Sequence, residues 1–147
     1  MDRSKRKVRR AVLAGLLGLA ATAGLAAGAG PKNMPKGKMP EGTWGGDHIS
    51  LEVGAASSRL DYDCAEGTIE GPITIDRRGR FEARGRHTKE GPGPRREGAE
   101  GSGEAARYVG TVKGDVLELR VTLAGSGETV GEFVLTRGKP GRVRKCL

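Results

Sequence analysis

From Thr43 onward the apolar residues recur at every second position, the period of a β-strand rather than a helix. Ile49, Leu51 and Val53 alternate with His48, Ser50 and Glu52, and Leu60, Tyr62 and Cys64 alternate with Arg59, Asp61 and Asp63. Ile73 and Ile75 form a third run with Ile69 in the same phase, interrupted at Pro72. Phe81, Ala83 and Gly85 make a fourth, Tyr108, Gly110 and Val112 a fifth, and Leu117, Leu119, Val121 and Leu123 a sixth. Phe133 and Leu135 close a seventh strand, and RVRKCL supplies a short eighth. Turn signals fall between the runs at Glu66-Gly67, Arg78-Gly79, Gly114-Asp115, Gly125-Ser126-Gly127 and Pro140-Gly141. Eight short strands with tight connections predict an all-β fold, an antiparallel meander with one apolar and one polar face.

Ahead of this pattern the chain has a different character. MDRSKRKVRR is a basic head, and Ala11 to Ala29 is an uncharged run of Ala, Leu, Gly, Val and Thr ending in Ala27-Gly28-Ala29. That order is a secretory signal helix with small residues at the cleavage site, placing a signal peptide at 1–29. The alternative is an uncleaved anchor, since about 20 apolar residues span a bilayer. Both put the remainder outside the cytoplasm, secreted or in the periplasm or cell envelope. Residues 30–42, with three prolines and three lysines, read as a linker. The folded domain is expected at 43–147, with Thr88 to Ala105 as a disordered loop, rich in Gly and charge and without large apolar residues.

Removing the head changes the charge argument. It holds six of the chain's 26 Lys/Arg and one of its 18 acids, so the formal +8 falls to about +3 in the mature part. A mixed surface of that kind argues against a nucleic-acid partner. Membrane contact is expected only if the N-terminal segment is retained, and a monomer is expected.

The two cysteines decide the architecture. Cys64 and Cys146 lie in the exported part, where thiols oxidise. In a flat meander the second and eighth strands stand six spacings apart, roughly 29 Å at about 4.8 Å each. A disulfide needs Cα atoms within about 7 Å. An internal bond therefore requires the sheet to close, with the eighth strand beside the first; an intermolecular bond or two free thiols remain the alternatives.

Little in the chain suggests catalysis. Asp47 and His48 beside Asp61 and Asp63 are the best approximation to a metal cluster, but alternation puts His48 on the outer face. His87 shares the inward phase of Phe81 and Ala83. No G-x-S-x-G, H-E-x-x-H or phosphate-cradling loop occurs. Neither a metal, a cofactor nor an enzymatic activity is expected. Arg77, Arg78, Arg80, Arg84 and Arg86 are interleaved with Asp76 and Glu82, as on a solvated outer face. Ala83, Gly85, Gly110 and Gly131 are small inward positions that open a cavity or let the barrel close tightly, a filled core being the expectation.

Gly42-Thr43-Trp44 at the start of the first strand, the eight-strand pattern and a C-terminal cysteine resemble the calycin barrels, the lipocalins and avidins. The resemblance implies a small closed barrel and, from lipocalins, an arginine near the C-terminus over the tryptophan; Arg137, Arg142 and Arg144 are available. It implies no biotin site, because avidins line theirs with several tryptophans and this chain has one. The GTWGGDHI start and KCL end are also similar to those of small exported bacterial proteins. Ser102-Gly103, Tyr108 and Lys113-Gly114-Asp115 follow the order seen in small periplasmic inhibitors of C-type lysozyme, without the aromatic that precedes their lysine. The expected function is thus an exported, non-catalytic binding or structural module. Its partner would be a protein, as for an inhibitor, or a small apolar ligand, as for a lipocalin-like carrier.

Overall fold

A computed structural model describes residues 36–91 and 103–146. The expected signal peptide at 1–29, the first part of the linker and the centre of the 88–105 loop lie outside the described residues. The elements are β1 (Gly37–Lys38), β2 (Gly42–Gly46), β3 (Ile49–Val53), β4 (Ser57–Tyr62), β5 (Ala65–Glu70), β6 (Thr74–Ile75), β7 (Arg80–Lys89), β8 (Glu104–Lys113), β9 (Val116–Leu123) and β10 (Thr129–Arg137). β1 and β6 pair as a short ribbon, and the other eight form a closed antiparallel barrel in the order β10-β2-β3-β4-β5-β7-β8-β9.

The eight barrel strands are not the eight expected from the sequence. GTWGGDHISLEV is two strands folded at Asp47-His48, with Gly46 paired to Ile49. Ile69 belongs to β5, whereas Ile75 belongs to β6 outside the barrel. RVRKCL is a tail with a single bridge, Asp47 to Arg142. Closure is made by β10 against β2, through Leu135–Gly46, Thr136–Gly45 and Arg137–Trp44. The disulfide is present, with Cα atoms 4.9 Å apart, but it ties the tail to the β4–β5 turn rather than joining two barrel strands.

Two other boundaries move. The 88–105 stretch is strand at both ends, since β7 continues to Lys89 and β8 begins at Glu104. The expected linker contributes β1 and the buried Met39, whose amide donates to the Ile73 carbonyl at 2.8 Å. That contact makes sense of Pro72: a proline at this break lets the chain leave the ladder after β5. Met39, Ile73 and Ile75 thereby join the core at the end where β3 turns into β4.

The period-two residues do fill the interior. Trp44, Ile49, Leu51, Leu60, Ile69, Tyr108, Leu117, Val121 and Leu135 are fully buried. Each such side chain removes apolar area from water at about 25 cal/mol per Å². Charges alternate outward on the same strands.

Candidate binding surface

The inward glycines do not wall a cavity: their surroundings are filled. A Cβ on Gly110 would stand 2.5 Å from Cε1 of Phe81, and one on Gly131 2.6 Å from Cζ of Phe133. Above Gly67 lie the hydroxyls of Tyr108 and Tyr62, at 2.5 and 3.0 Å from such a Cβ. At Gly85 the neighbour is the Thr68 carbonyl of β5. Small residues are needed because a ring or a strand already occupies the space, and Ala83 packs on the same core. Close packing of this kind leaves little room for an apolar guest.

Polar atoms gather at the end of the barrel that carries the β4–β5 turn. The Tyr62 ring contacts His87 and Phe133, with centroids 5.5 and 5.6 Å apart. Tyr108 donates its hydroxyl to the Arg86 carbonyl at 2.7 Å. Tyr62 Oη and His87 Nδ1 are buried without a hydrogen-bond partner among the described residues; Ser58 Oγ, similarly buried, is at the opposite end of β4, opposite Val53 and Ile69. Burial pushes the Tyr62 phenol up, with the adjacent Tyr108 adding to it, and burial also raises Tyr108. Desolvation, then Lys89, pulls His87 below its ordinary value, against an opposing pull from Glu104. An open cleft of about 220 Å³ beside it is lined by His87, Thr88, Lys89, Gly103 and Glu104.

His48 is at the same end but outside the barrel, 59% exposed in the β2–β3 turn, where Nδ1 lies 2.5 Å from Asp63 Oδ2 of the β4–β5 turn. The sequence-level grouping of Asp47, His48, Asp61 and Asp63 resolves into separate pairs. Asp47 meets Arg142, and Asp61 meets Lys145, which also reaches Glu90. Asp63 accepts the Arg144 amide at 2.7 Å, and this bond, with His48 beside it, lowers its acidity range. Among the described residues no group of three His, Cys, Asp or Glu side chains is placed to hold a metal.

Of the three arginines considered for covering Trp44, Arg142 and Arg144 are engaged by the turns just described. Arg137 is the register partner of Trp44, with its side chain exposed. The indole N–H points to the Pro40 carbonyl at 3.4 Å. Of the inhibitor-like series, Ser102 is outside the described residues, Tyr108 is fully buried, and Lys113 is at the far end of β8 in an ion pair with Glu118.

On the outer face, Asp76 accepts from the Arg78 and Arg80 amides and from Arg80 Nε. Arg107, which the sequence reading did not single out, donates to Glu82 at 2.7 Å, and Arg86 lies 3.9 Å from Glu70. A second, shallow cleft of about 350 Å³ crosses β3, β4 and β5, with Arg59 paired to Glu66 and Glu52 accepting from Thr43 at its edge. Compared with known proteins, the chain matches no family model, no curated protein and no solved structure.

Proposed function

We propose that this protein is an exported, non-catalytic binding module that meets its partner with the outside of its barrel. The observation that carries this is the occupied interior: aromatic rings stand over Gly67, Gly110 and Gly131 where a carrier would keep space for its cargo. The disulfide is compatible with an oxidising compartment, in keeping with the signal-like N-terminus. The two histidines support no acid–base pair, one being exposed in a turn and the other buried in the barrel. A candidate base has to lie within hydrogen-bond reach of its proton donor and substrate.

The reading is tested by titrating purified protein with the neutral fluorophore N-phenyl-1-naphthylamine. Little enhancement is expected; saturable one-to-one binding with energy transfer from Trp44 would favour the apolar-ligand carrier instead. The intact mass of protein from the exported fraction tests the compartment: a chain starting at Gly30 and two hydrogens lighter than its reduced form is expected.

A further inference from the structure

Across strands β7 to β10, the outward residues fall into rows perpendicular to the chain. One row follows the usual pattern of a solvated sheet: Glu82, Val109, Arg120 and Glu132 are successive register partners, and Arg120 is ion-paired to Glu132. The adjacent row does not. Arg84 is the direct register partner of Arg107, Arg107 of Thr122, and Thr122 of Thr129. This row contains two guanidinium groups, two hydroxyls and no acid.

Like charges directly opposite on antiparallel strands destabilise a sheet. Arg84 and Arg107 have one carboxylate between them: Glu82 accepts from Arg107, and Arg84 acts on that carboxylate only through space. Arg86, two residues further along β7, is answered by Glu70 of β5 at 3.9 Å. Glu82 answers Arg107, whereas Arg84 makes no ion pair among the described residues, so Arg84 beside Arg107 is the opening for an external anion. Four strands place the row's ends about 14 Å apart, at about 4.8 Å per spacing. Guanidinium forks match carboxylate and sulfate oxygens, whereas threonine hydroxyls both donate and accept and so suit neutral hydroxyls.

We propose that this row is a docking strip for an extended acidic polysaccharide, its acid groups on Arg84 and Arg107 and its sugar hydroxyls on Thr122 and Thr129. The inference rests on the outer-surface reading above and names its partner. Exposed Val109, beside the row on β8, offers a small apolar patch for a sugar face.

The test is an NMR and calorimetric titration of the full mature chain with a heparin hexasaccharide at about 150 mM salt, where the Debye length is about 8 Å and long-range attraction is screened. Shifts centred on the four row residues are expected. Arg84→Gln/Arg107→Gln should weaken binding at least about tenfold while folding normally, because it removes an opposed pair of like charges. Thr122→Val/Thr129→Val should weaken the hexasaccharide about threefold and leave inorganic polyphosphate unaffected, a difference that charge alone does not produce. Arg59→Gln, on another face, should change neither. The proposal is overturned by absent hexasaccharide binding, by an equal loss in Arg59→Gln, or by binding only to phosphatidylglycerol vesicles or polyphosphate. Such a failure leaves the outer-surface reading standing, which falls only if the fluorophore enters the barrel.

Discussion

His48 and Cys64 occupy the same place in two neighbouring turns at one end of the barrel, those of the β2–β3 and β4–β5 hairpins. Each is the second residue of a two-residue turn, each has a positive φ (66° and 59°), and each donates its amide to the C-terminal tail. The acceptors are the Arg142 carbonyl at 2.9 Å and the Arg144 carbonyl at 3.2 Å, two residues apart as in an extended strand. The left-handed region is unfavourable for a residue with a Cβ. The tail holds both turns there, and the Cys64–Cys146 bond holds the tail.

This arrangement separates the disulfide from barrel closure. Cys64→Ser/Cys146→Ser should keep the β-sheet circular dichroism of the parent, because β10 and β2 close the barrel without it. Its stability should fall by up to about 4 kcal/mol, the chain-entropy value for a span of this length. Urea unfolding followed by Trp44 fluorescence measures the loss. A collapse of the sheet signal in native buffer would mean that the tail, not the β10–β2 seam, closes the fold.

How much of this was legible in the sequence depends on range. Alternation along one strand identified the inward Ile49, Leu51, Leu60 and Tyr62, because a buried face imposes period two locally. The fold at Asp47-His48 was not legible, since neither residue is glycine and the positive φ is held by a tail about a hundred residues away. β5 was missed because Ala65 and Gly67, two of its inward positions, are too small to register as hydrophobic. The Arg84–Arg107 opposition needs the register of two strands across an intervening loop, which no single-strand pattern contains. A closed sheet was expected because both cysteines were placed on barrel strands; the sheet is closed, but by β10 against β2, and the bond joins a tail to a turn, so that premise does not hold.

The two buried tyrosines should respond in opposite ways to the loss of a hydroxyl. Tyr108→Phe removes the hydroxyl that donates to the Arg86 carbonyl at 2.7 Å and should cost about 1 kcal/mol. Tyr62→Phe removes a buried hydroxyl that lies beside that of Tyr108 without a well-aligned hydrogen bond, so it should be neutral or stabilising. Paired denaturation curves decide it. A larger loss for Tyr62→Phe would show that its hydroxyl is satisfied in solution.

His87 makes stability depend on pH on the acid side. Its folded value lies below the ordinary 6.5, so the unfolded chain binds more protons as pH falls past that point. Stability from this group is complete above about 6.5 and is lost as pH drops through the folded value. Asp63, Asp76 and Glu82 are also lowered, each chiefly by hydrogen bonds to its carboxylate, from Arg144, Arg80 and Arg107 respectively, and their contribution disappears further down, below the normal carboxylate range. His87→Gln, which does not titrate, should flatten the decline that begins as pH falls below about 6.5 and leave the steeper loss in the carboxylate range and below it. An unchanged slope in the upper window would place the proton on another group.

Gly45 and Gly141 allow the tail to lie flat on the outer face of the barrel. A Cβ on Gly45 would overlap backbone atoms of Lys139, Pro140 and Gly141, and one on Gly141 would overlap the Ile49 carbonyl and Ser50. Neither glycine needs a positive φ. Their requirement is space, and the obstructing atoms are mostly backbone, which does not swing aside as a side-chain end does. Gly45→Ala should therefore cost about 1–3 kcal/mol, the usual penalty for overpacking. The disulfide determines whether the tail can escape the clash. In Cys64→Ser/Cys146→Ser the tail is free to lift, so the same alanine should cost less than half as much, giving a clear coupling in a double-mutant cycle. Equal costs in both backgrounds would mean that the tail yields locally near Gly45 and that the bond at its end has no part in holding it down.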